Sequence, residues 1–201
     1  MGAGPVALSL RISHARPIPV LYPANPRECN ILNHGHVDLQ RKYHWISEIG
    51  EIQDRVELGD LLRAIGESKS IFRAIGCDRR LEVYDLPPPL ASRVHSYFDL
   101  AFAEKNWNYD PGKFFALFYN FSAKLQSLKP RNGLLMEWEL IPVIYPGAKN
   151  TGWLMRMGTI GYGESHEEAR RTWALGIRFI HRFLTEAESG QFSSTSLNLG
   201  G

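Results

Sequence analysis

The chain is poor in cysteine, with Cys29 and Cys77 as its only two in 201 residues. Secreted domains held by disulfides carry more cysteines at patterned spacings. We therefore expect two reduced thiols, with a single Cys29–Cys77 bridge as the alternative. No signal peptide is recognisable, because the apolar run Val6–Leu10 is short and is followed at once by Arg11. These features predict an intracellular, cytoplasmic protein.

Long apolar runs and an excess of one charge are also missing. No stretch approaches the roughly 18 apolar residues of a membrane-spanning helix, so we expect no transmembrane segment. The 23 Lys and Arg residues nearly balance the 21 Asp and Glu residues, which leaves a net charge of +2. Because no domain-wide basic region exists, we do not expect a nucleic acid as partner.

Complete catalytic motifs are absent as well. Gly158, Gly161 and Gly163 precede a helix, but their spacing is neither a phosphate-binding loop nor a dinucleotide fingerprint. Glu164 and Glu167 would repel an anion there, so we interpret the glycines as a strand end before a capped helix. We expect no cofactor, and the sequence favours a protein that is not an enzyme.

One group of potential metal ligands lies in the first quarter of the chain. Cys29, His34, His36 and Asp38 are ligand types that zinc accepts. The set is incomplete, and Asp38 is better placed as the N-cap of a helix that runs to Val56. We therefore predict a polar loop at this position and no metal.

The hydrophobic pattern predicts an α+β fold, with a small antiparallel sheet packed against several α-helices. Apolar residues alternate over 6–12, which indicates a strand, and they alternate again over 136–140 and 153–157, which indicates a C-terminal hairpin. In this hairpin Arg156 is expected to pair with Glu137 or Glu139. Ser165 and Glu168 form a capping box that opens the last helix.

Glycines and apolar spacing predict further helices. Gly59 is expected to end the helix that begins at Asp38, and a short helix is expected over Ser70–Ile75. Apolar residues at intervals of four predict another helix over Leu90–Phe102. His95 and Asp99 would then lie one turn apart, as a base and the group that orients it would.

The chain is predicted to form a single domain over residues 1–188, with a subdomain boundary near residue 80 as an alternative. Residues 189–201 are rich in Ser, Gly and Asn and are predicted to form a flexible tail.

The segment from Lys105 to Arg131 differs most from the rest of the chain in its composition. It carries five Lys and Arg residues against one acidic residue, Asp110, and it is rich in aromatic side chains. A helix is predicted from Asp110-Pro111 to about Leu128, with Phe118 and Phe121 in the core. Its apolar arc is wider than one packed face needs. The residues predicted to form a binding surface are Trp107, Lys113, Phe115, Tyr119 and Lys124.

These observations favour an interaction or assembly protein that binds a protein partner or itself through an aromatic and basic helix surface. The proline-rich segment Leu86–Leu90 is a second potential contact. A small viral structural or accessory protein fits this profile. One alternative is an enzyme whose site is assembled from scattered residues, and the first candidates are His34, His36, Asp38, His95 and Asp99.

A third reading rests on a resemblance of shape. The order helix, strands, capped helix over residues 114–184 resembles a double-stranded-RNA-binding domain. Such domains carry a basic cluster at the start of their last helix, whereas Glu167 and Glu168 stand there in this chain.

Overall fold

The computed structural model describes residues 6–20, 56–67, 69–82, 92–126 and 133–188. These residues form six strands, three α-helices and one short 3-10 helix. In chain order they are β1 (Ala7–Ile12), β2 (Ile18–Pro19), α1 (Val56–Gly66), β3 (Phe72–Glu82), β4 (Ser92–Phe102), the 3-10 helix (Lys105–Tyr109), α2 (Pro111–Leu125), β5 (Leu134–Ile144), β6 (Gly152–Gly163) and α3 (His166–Glu188).

The strands form one mixed sheet in the order β1-β5-β6-β4-β3, and β2 pairs with the end of β5. The pairs β5–β6, β6–β4 and β4–β3 are antiparallel, whereas β1 and β2 run parallel to β5. The predicted α+β class is therefore confirmed, as is the C-terminal hairpin. The parallel pairing of β1 with β5 was not predicted.

The described helices contribute to one large apolar core with one face of the sheet. On β4, buried Val94 and Phe98 alternate with half-buried residues, as expected for a strand with one face against helices. Trp138 of β5, Trp173 of α3 and Phe114 of α2 are among the fully buried side chains. A second, smaller cluster includes Ile75, Ile141 and Leu154.

The glycines of β6 explain how closely α3 lies on the sheet. A Cβ atom at Gly161 would stand 2.3 Å from both the Ala169 carbonyl oxygen and the Trp173 amide nitrogen. A Cβ atom at Gly163 would stand 2.5 Å from the Ala169 amide nitrogen. The glycine-rich segment thus admits the backbone of α3, in agreement with its interpretation as a strand end before a capped helix.

Two predicted helices are wrong: residues 90–102 belong largely to strand β4, and residues 70–75 largely to strand β3. Apolar residues at intervals of four, such as Val94, Phe98 and Phe102, lie on one face of a helix but equally on one face of a strand. Residues 92–102 form a strand because β4 pairs with β3 on one side and with β6 on the other. Strand β3 also runs through residue 80, the position near which the sequence offers a subdomain boundary as an alternative.

Gly59, which is predicted to end a helix, is instead buried inside α1. Gly76, which directly follows the predicted helix over Ser70–Ile75, sits at an irregularity in the β3–β4 register. The predicted helix over residues 38–55 and the metal-ligand candidates at 29–38 lie outside the described residues, as do the proline-rich segment 86–90 and the predicted tail. Of the helices in the described part of the chain, none has the length and hydropathy needed to cross a membrane.

The capping box is confirmed. The Ser165 hydroxyl oxygen accepts a hydrogen bond from the Glu168 amide at 3.2 Å. The Glu168 carboxylate in turn accepts from the Glu164 amide at 2.8 Å, one residue before the position expected for the reciprocal bond. Two amides at the start of α3 are thereby satisfied.

Replacing Ser165 with alanine should lower the free energy of unfolding by about 0.5–2 kcal/mol, because the Glu168 amide loses its acceptor. Urea denaturation followed by circular dichroism measures this change. An unchanged midpoint would mean that the cap does not hold the helix.

Gly161→Ala should cost about 1–3 kcal/mol or more, because the added methyl group forces α3 away from β6. Gly147→Ala is the contrasting control: its φ of 76° is strained for alanine, but a Cβ there meets nothing within 4 Å. Thermal unfolding of both variants distinguishes overpacking from backbone strain. A smaller loss for Gly161→Ala than for Gly147→Ala would contradict the close approach.

Candidate functional site

Helix α2 begins where the sequence predicts. The Asp110 carboxylate accepts a hydrogen bond from the Gly112 amide at 2.8 Å, and Pro111 occupies the first helical turn. Proline is favoured there because its missing N–H would have no partner within the helix. The helix ends at Leu125, before the predicted Leu128.

The inner side of α2 is anchored by aromatic contacts. Phe121 is fully buried, and its ring centroid lies 4.4 Å from Trp138, 5.4 Å from Phe179 and 5.1 Å from Phe183. The prediction for Phe121 is thus confirmed. Phe118 is only half-buried, with its ring edge against Trp138 at 5.6 Å, so it does not reach the full burial expected of it.

The outer side of α2 carries no charge. Tyr119 is 73% exposed and Phe115 37% exposed, and the next position along this line, Ala123, is also exposed. We call Pro111, Phe115, Tyr119 and Ala123, which follow one another at intervals of four, the outer ridge of α2. Residues at this spacing lie along one line on a helix surface.

Trp107 lies beside this helix, in the 3-10 turn that precedes it. It is half-buried and meets Phe102 edge-on at 5.5 Å. The Lys113 ammonium lies 5.2 Å from the centroid of the Trp107 ring, within the range of a cation–π contact. These two predicted surface residues therefore contact each other.

Lys124 is engaged at the other end of α2. Its ammonium pairs with the Glu186 carboxylate of α3, which also accepts a hydrogen bond from Arg182 at 2.9 Å. Desolvation lowers the pKa of Lys124, and the nearby Arg182 guanidinium lowers it further. Both predicted basic residues thus have partners within the chain, and the exposed part of the predicted surface consists of Phe115 and Tyr119.

A row of charged side chains also crosses the sheet. Arg156 of β6 donates two hydrogen bonds to Asp99 of β4, at 2.8 and 2.9 Å, and its guanidinium lies 4.0 Å from the Tyr97 ring. On the next strand, Glu139 accepts from Arg11 of β1 at 3.0 Å. Four charged residues on four adjacent strands therefore alternate in sign across the sheet.

The charge partner of Arg156 differs from the one expected. Glu139 stands opposite Arg156 in the hairpin, but the guanidinium binds Asp99, which is only 2% exposed. Although burial lowers the pKa of Arg156, the hydrogen bond and the charge of Asp99 outweigh it and raise the pKa above its ordinary value. The sequence could not reveal this pair, because it depends on the register between β4 and β6.

The structure separates His95 from Asp99. Both lie on β4, four residues apart, which corresponds to about 13 Å along a strand. The proposed one-turn spacing is therefore wrong, and both carboxylate oxygens of Asp99 are occupied by Arg156. Within the described ranges no three His, Cys, Asp or Glu side chains are grouped so as to hold a metal ion. The Asp99–Arg156 ion pair joins the adjacent strands β4 and β6, which is a structural role.

Comparison with known proteins gives no relative: no protein-family model matches the chain, and neither a curated protein nor a solved structure is significantly similar to it.

Replacing Arg156 with methionine should destabilise the protein by about 3 kcal/mol, because Asp99 is left buried without its cation. Arg11→Met is the matched control on the same row of charges, and it should leave the unfolding midpoint near that of the wild type because Arg11 is exposed. Chemical denaturation measures both. Equal midpoints for the two variants would contradict the assigned role of the Asp99–Arg156 pair.

Proposed function

We propose that this protein is a non-enzymatic assembly protein that associates through the outer ridge of α2. The observation that carries the proposal is the exposure of Tyr119 and Phe115, 73% and 37%, one turn apart on a helix whose inner side buries Phe114, Leu117 and Phe121. Aromatic side chains of this kind supply most of the binding energy at protein interfaces.

A comparison with α3 supports this reading. Both helices pack on the same core. The exposed residues of α3 are mostly charged, as is usual for a helix that faces water: they are His166, Glu167, Glu168, Arg171, Arg178, Arg182 and Thr185. On α2 the exposed residues are Phe115, Tyr119 and Ala123, and none carries a charge. Charged residues thus occupy most of the exposed positions of α3 and none of the exposed positions of α2.

The contacts of Lys113 and Lys124 indicate what kind of partner the outer ridge can bind. Lys113 lies over Trp107, and Lys124 pairs with Glu186, so neither is directed at an external anion. The proposed contact is therefore apolar and aromatic, without the basic contribution that the sequence suggests. Salt should then affect it only modestly.

The other two functions have less support. Glu167 and Glu168 are exposed at the start of α3, where a phosphate backbone would meet negative charge. An enzyme site built on Asp99 would have to break its ion pair with Arg156 first. The small number of cysteines favours an intracellular, cytoplasmic setting for the assembly.

Changing Phe115 and Tyr119 together to serine should leave the chain folded and weaken its association by about tenfold or more, because two aromatic anchors are removed. Analytical ultracentrifugation over a range of concentrations, at about 0.05 and 0.5 M salt, measures the effect. Circular dichroism and thermal unfolding verify the fold.

The matched control changes two exposed apolar residues on other elements, Ile12→Ser and Val56→Ser, which are 41% and 66% exposed in the wild type. This control should associate like the wild type. The proposal fails if the wild type stays monomeric at every concentration, if the control loses association equally, or if the double variant unfolds.

A further inference from the structure

We infer that the outer edge of strand β1 pairs with β1 of a second copy of this chain, antiparallel and about a two-fold axis beside Ser9, so that the two sheets join into one. This inference goes beyond the proposed function, because it uses the edge of the sheet and not the outer ridge of α2. It follows from the unpaired backbone groups of β1, the side chains that flank them and the position of its one charged residue.

The backbone of β1 presents hydrogen-bonding groups at the edge of the sheet. In the described part of the chain β1 pairs only with β5. The Ser13 amide, directly after β1, donates to the Leu140 carbonyl oxygen at 2.8 Å. Because successive residues of a strand turn their N–H and C=O groups to opposite sides, the odd-numbered residues of β1 bond to β5, whereas Leu8, Leu10 and Ile12 turn theirs outward. The described residues offer these outward groups no partner.

Unpaired groups in this row fix the kind of partner, since they are the template for another extended backbone. The opposite edge of the sheet, β3, differs in three respects. Its register with β4 is irregular near residue 75, its sequence is rich in charged residues, and α1 contacts it. Irregular pairing, charges and a covering helix are the features that keep an edge from pairing. Strand β1 has an unbroken register, no proline and one charged residue, so it is the edge that can accept a further strand.

The side chains of β1 match those of a second β1. Leu8 and Leu10 are half-buried against the main core, and Ile12 continues their row with 41% exposure. Ser9 lies on the other face and is exposed. In an antiparallel pair centred on Ser9, Leu8 of one copy faces Leu10 of the other, and facing residues share one face of the sheet. The apolar row of one copy thus continues into the other.

The charge of Arg11 selects this centre. Its guanidinium binds Glu139 at 3.0 Å, and its side chain is 76% exposed. With the axis beside Ser9, Arg11 faces Ala7 of the other copy, and the two Arg11 residues stay about 13 Å apart along the strand. An axis beside Leu10 would make them diagonal neighbours at ~7–8 Å. Ser9 is small and uncharged, as is required where a residue meets its own copy on the axis.

The same centre uses the outward backbone groups fully. Leu8 and Leu10 become hydrogen-bonded pairs, in which facing residues exchange both backbone hydrogen bonds. Ser9 and its copy form the non-hydrogen-bonded pair between them, where the two Cα atoms come closest, at about 4.5 Å. The axis residue is therefore the place where a cross-link tests the register.

Main-chain hydrogen bonds supply the affinity when a strand is added to a sheet edge, so the pair should depend on concentration and is best trapped by cross-linking. Ser9→Cys and Ala7→Cys are made separately in a background with Cys29→Ser and Cys77→Ser. Ser9→Cys should form a disulfide-linked dimer several-fold faster, because facing residues lie within disulfide reach. Ala7→Cys is the matched control: position 7 is exposed on the same face of the same strand but lies four residues from its own copy.

A second pair of variants tests the backbone contact. In the Ser9→Cys background, Leu10→Pro and Leu10→Ala both lose the leucine side chain, but only proline also removes the outward N–H. Leu10→Pro should cross-link several-fold more slowly than Leu10→Ala, and circular dichroism verifies that both variants fold. Ile12→Ser keeps its backbone groups at the end of the paired segment and should cross-link at the rate of the parent variant.

The unaltered chain gives an independent readout. In a mixture of isotope-labelled and unlabelled wild type, isotope-filtered NMR should show contacts between Leu8 of one copy and Leu10 of the other. Cross-linking of Ala7→Cys as fast as that of Ser9→Cys, equal rates for the two Leu10 variants, or intermolecular contacts that exclude β1 would overturn the pairing.

The same experiments separate this inference from the proposed function. Adding Phe115→Ser and Tyr119→Ser to the Ser9→Cys variant should leave its cross-linking rate unchanged, because the edge does not use the outer ridge. Loss of association in the double serine variant without a Ser9→Cys cross-link overturns only the edge pairing. Unchanged association in the double serine variant together with a rapid Ser9→Cys cross-link overturns only the proposed function.

Discussion

The close packing of α3 on the central strand β6 is the contact on which the arrangement of the helices depends. Gly161 and Gly163 leave no side chain between the two backbones, so Ala169 and Trp173 lie directly on the strand. The Trp173 indole N–H then donates to the Ser96 hydroxyl of β4 at 2.8 Å, which satisfies a buried polar group on each element. Helix α3 is thus fixed over the two central strands of the sheet.

The position of α3 determines which side of α2 faces outward. Phe179 and Phe183 of α3, together with Trp138 of β5, surround Phe121 and hold the inner side of α2. The Lys124–Glu186 pair joins the two helices near their C-terminal ends. With these contacts made, Phe115 and Tyr119 are left on the outer side. Their exposure is therefore a consequence of how the core is anchored, and replacing them should affect association more than folding.

Local signals in the sequence predicted the parts of the fold that local interactions determine. The caps at Asp110 and Ser165 and the β5–β6 hairpin follow from residues close together in the chain, and all three are confirmed. The strands β3 and β4 could not be predicted in this way, because the apolar spacing of β4 fits a helix equally well. Their identity depends on pairing between segments far apart in the chain.

The same distinction applies to the candidate site. The apolar arc on α2 is wider than one packed face needs, and the structure leaves Phe115 and Tyr119 of this arc exposed. The partners of Lys113 and Lys124, and the pairing of Asp99 with Arg156, depend on how the elements pack. For that reason the sequence overstated the basic character of the surface.

The central proposal is that the uncharged side of α2 is the surface through which the protein associates. A concentration series of amide chemical shifts tests it most directly, because it maps the contact on the unaltered protein. The account predicts that the amides of residues 112–123 shift together as the concentration rises, while those around Arg171 and Arg178 on α3 stay constant. Shifts confined to other elements, or no shifts at any concentration, would contradict it.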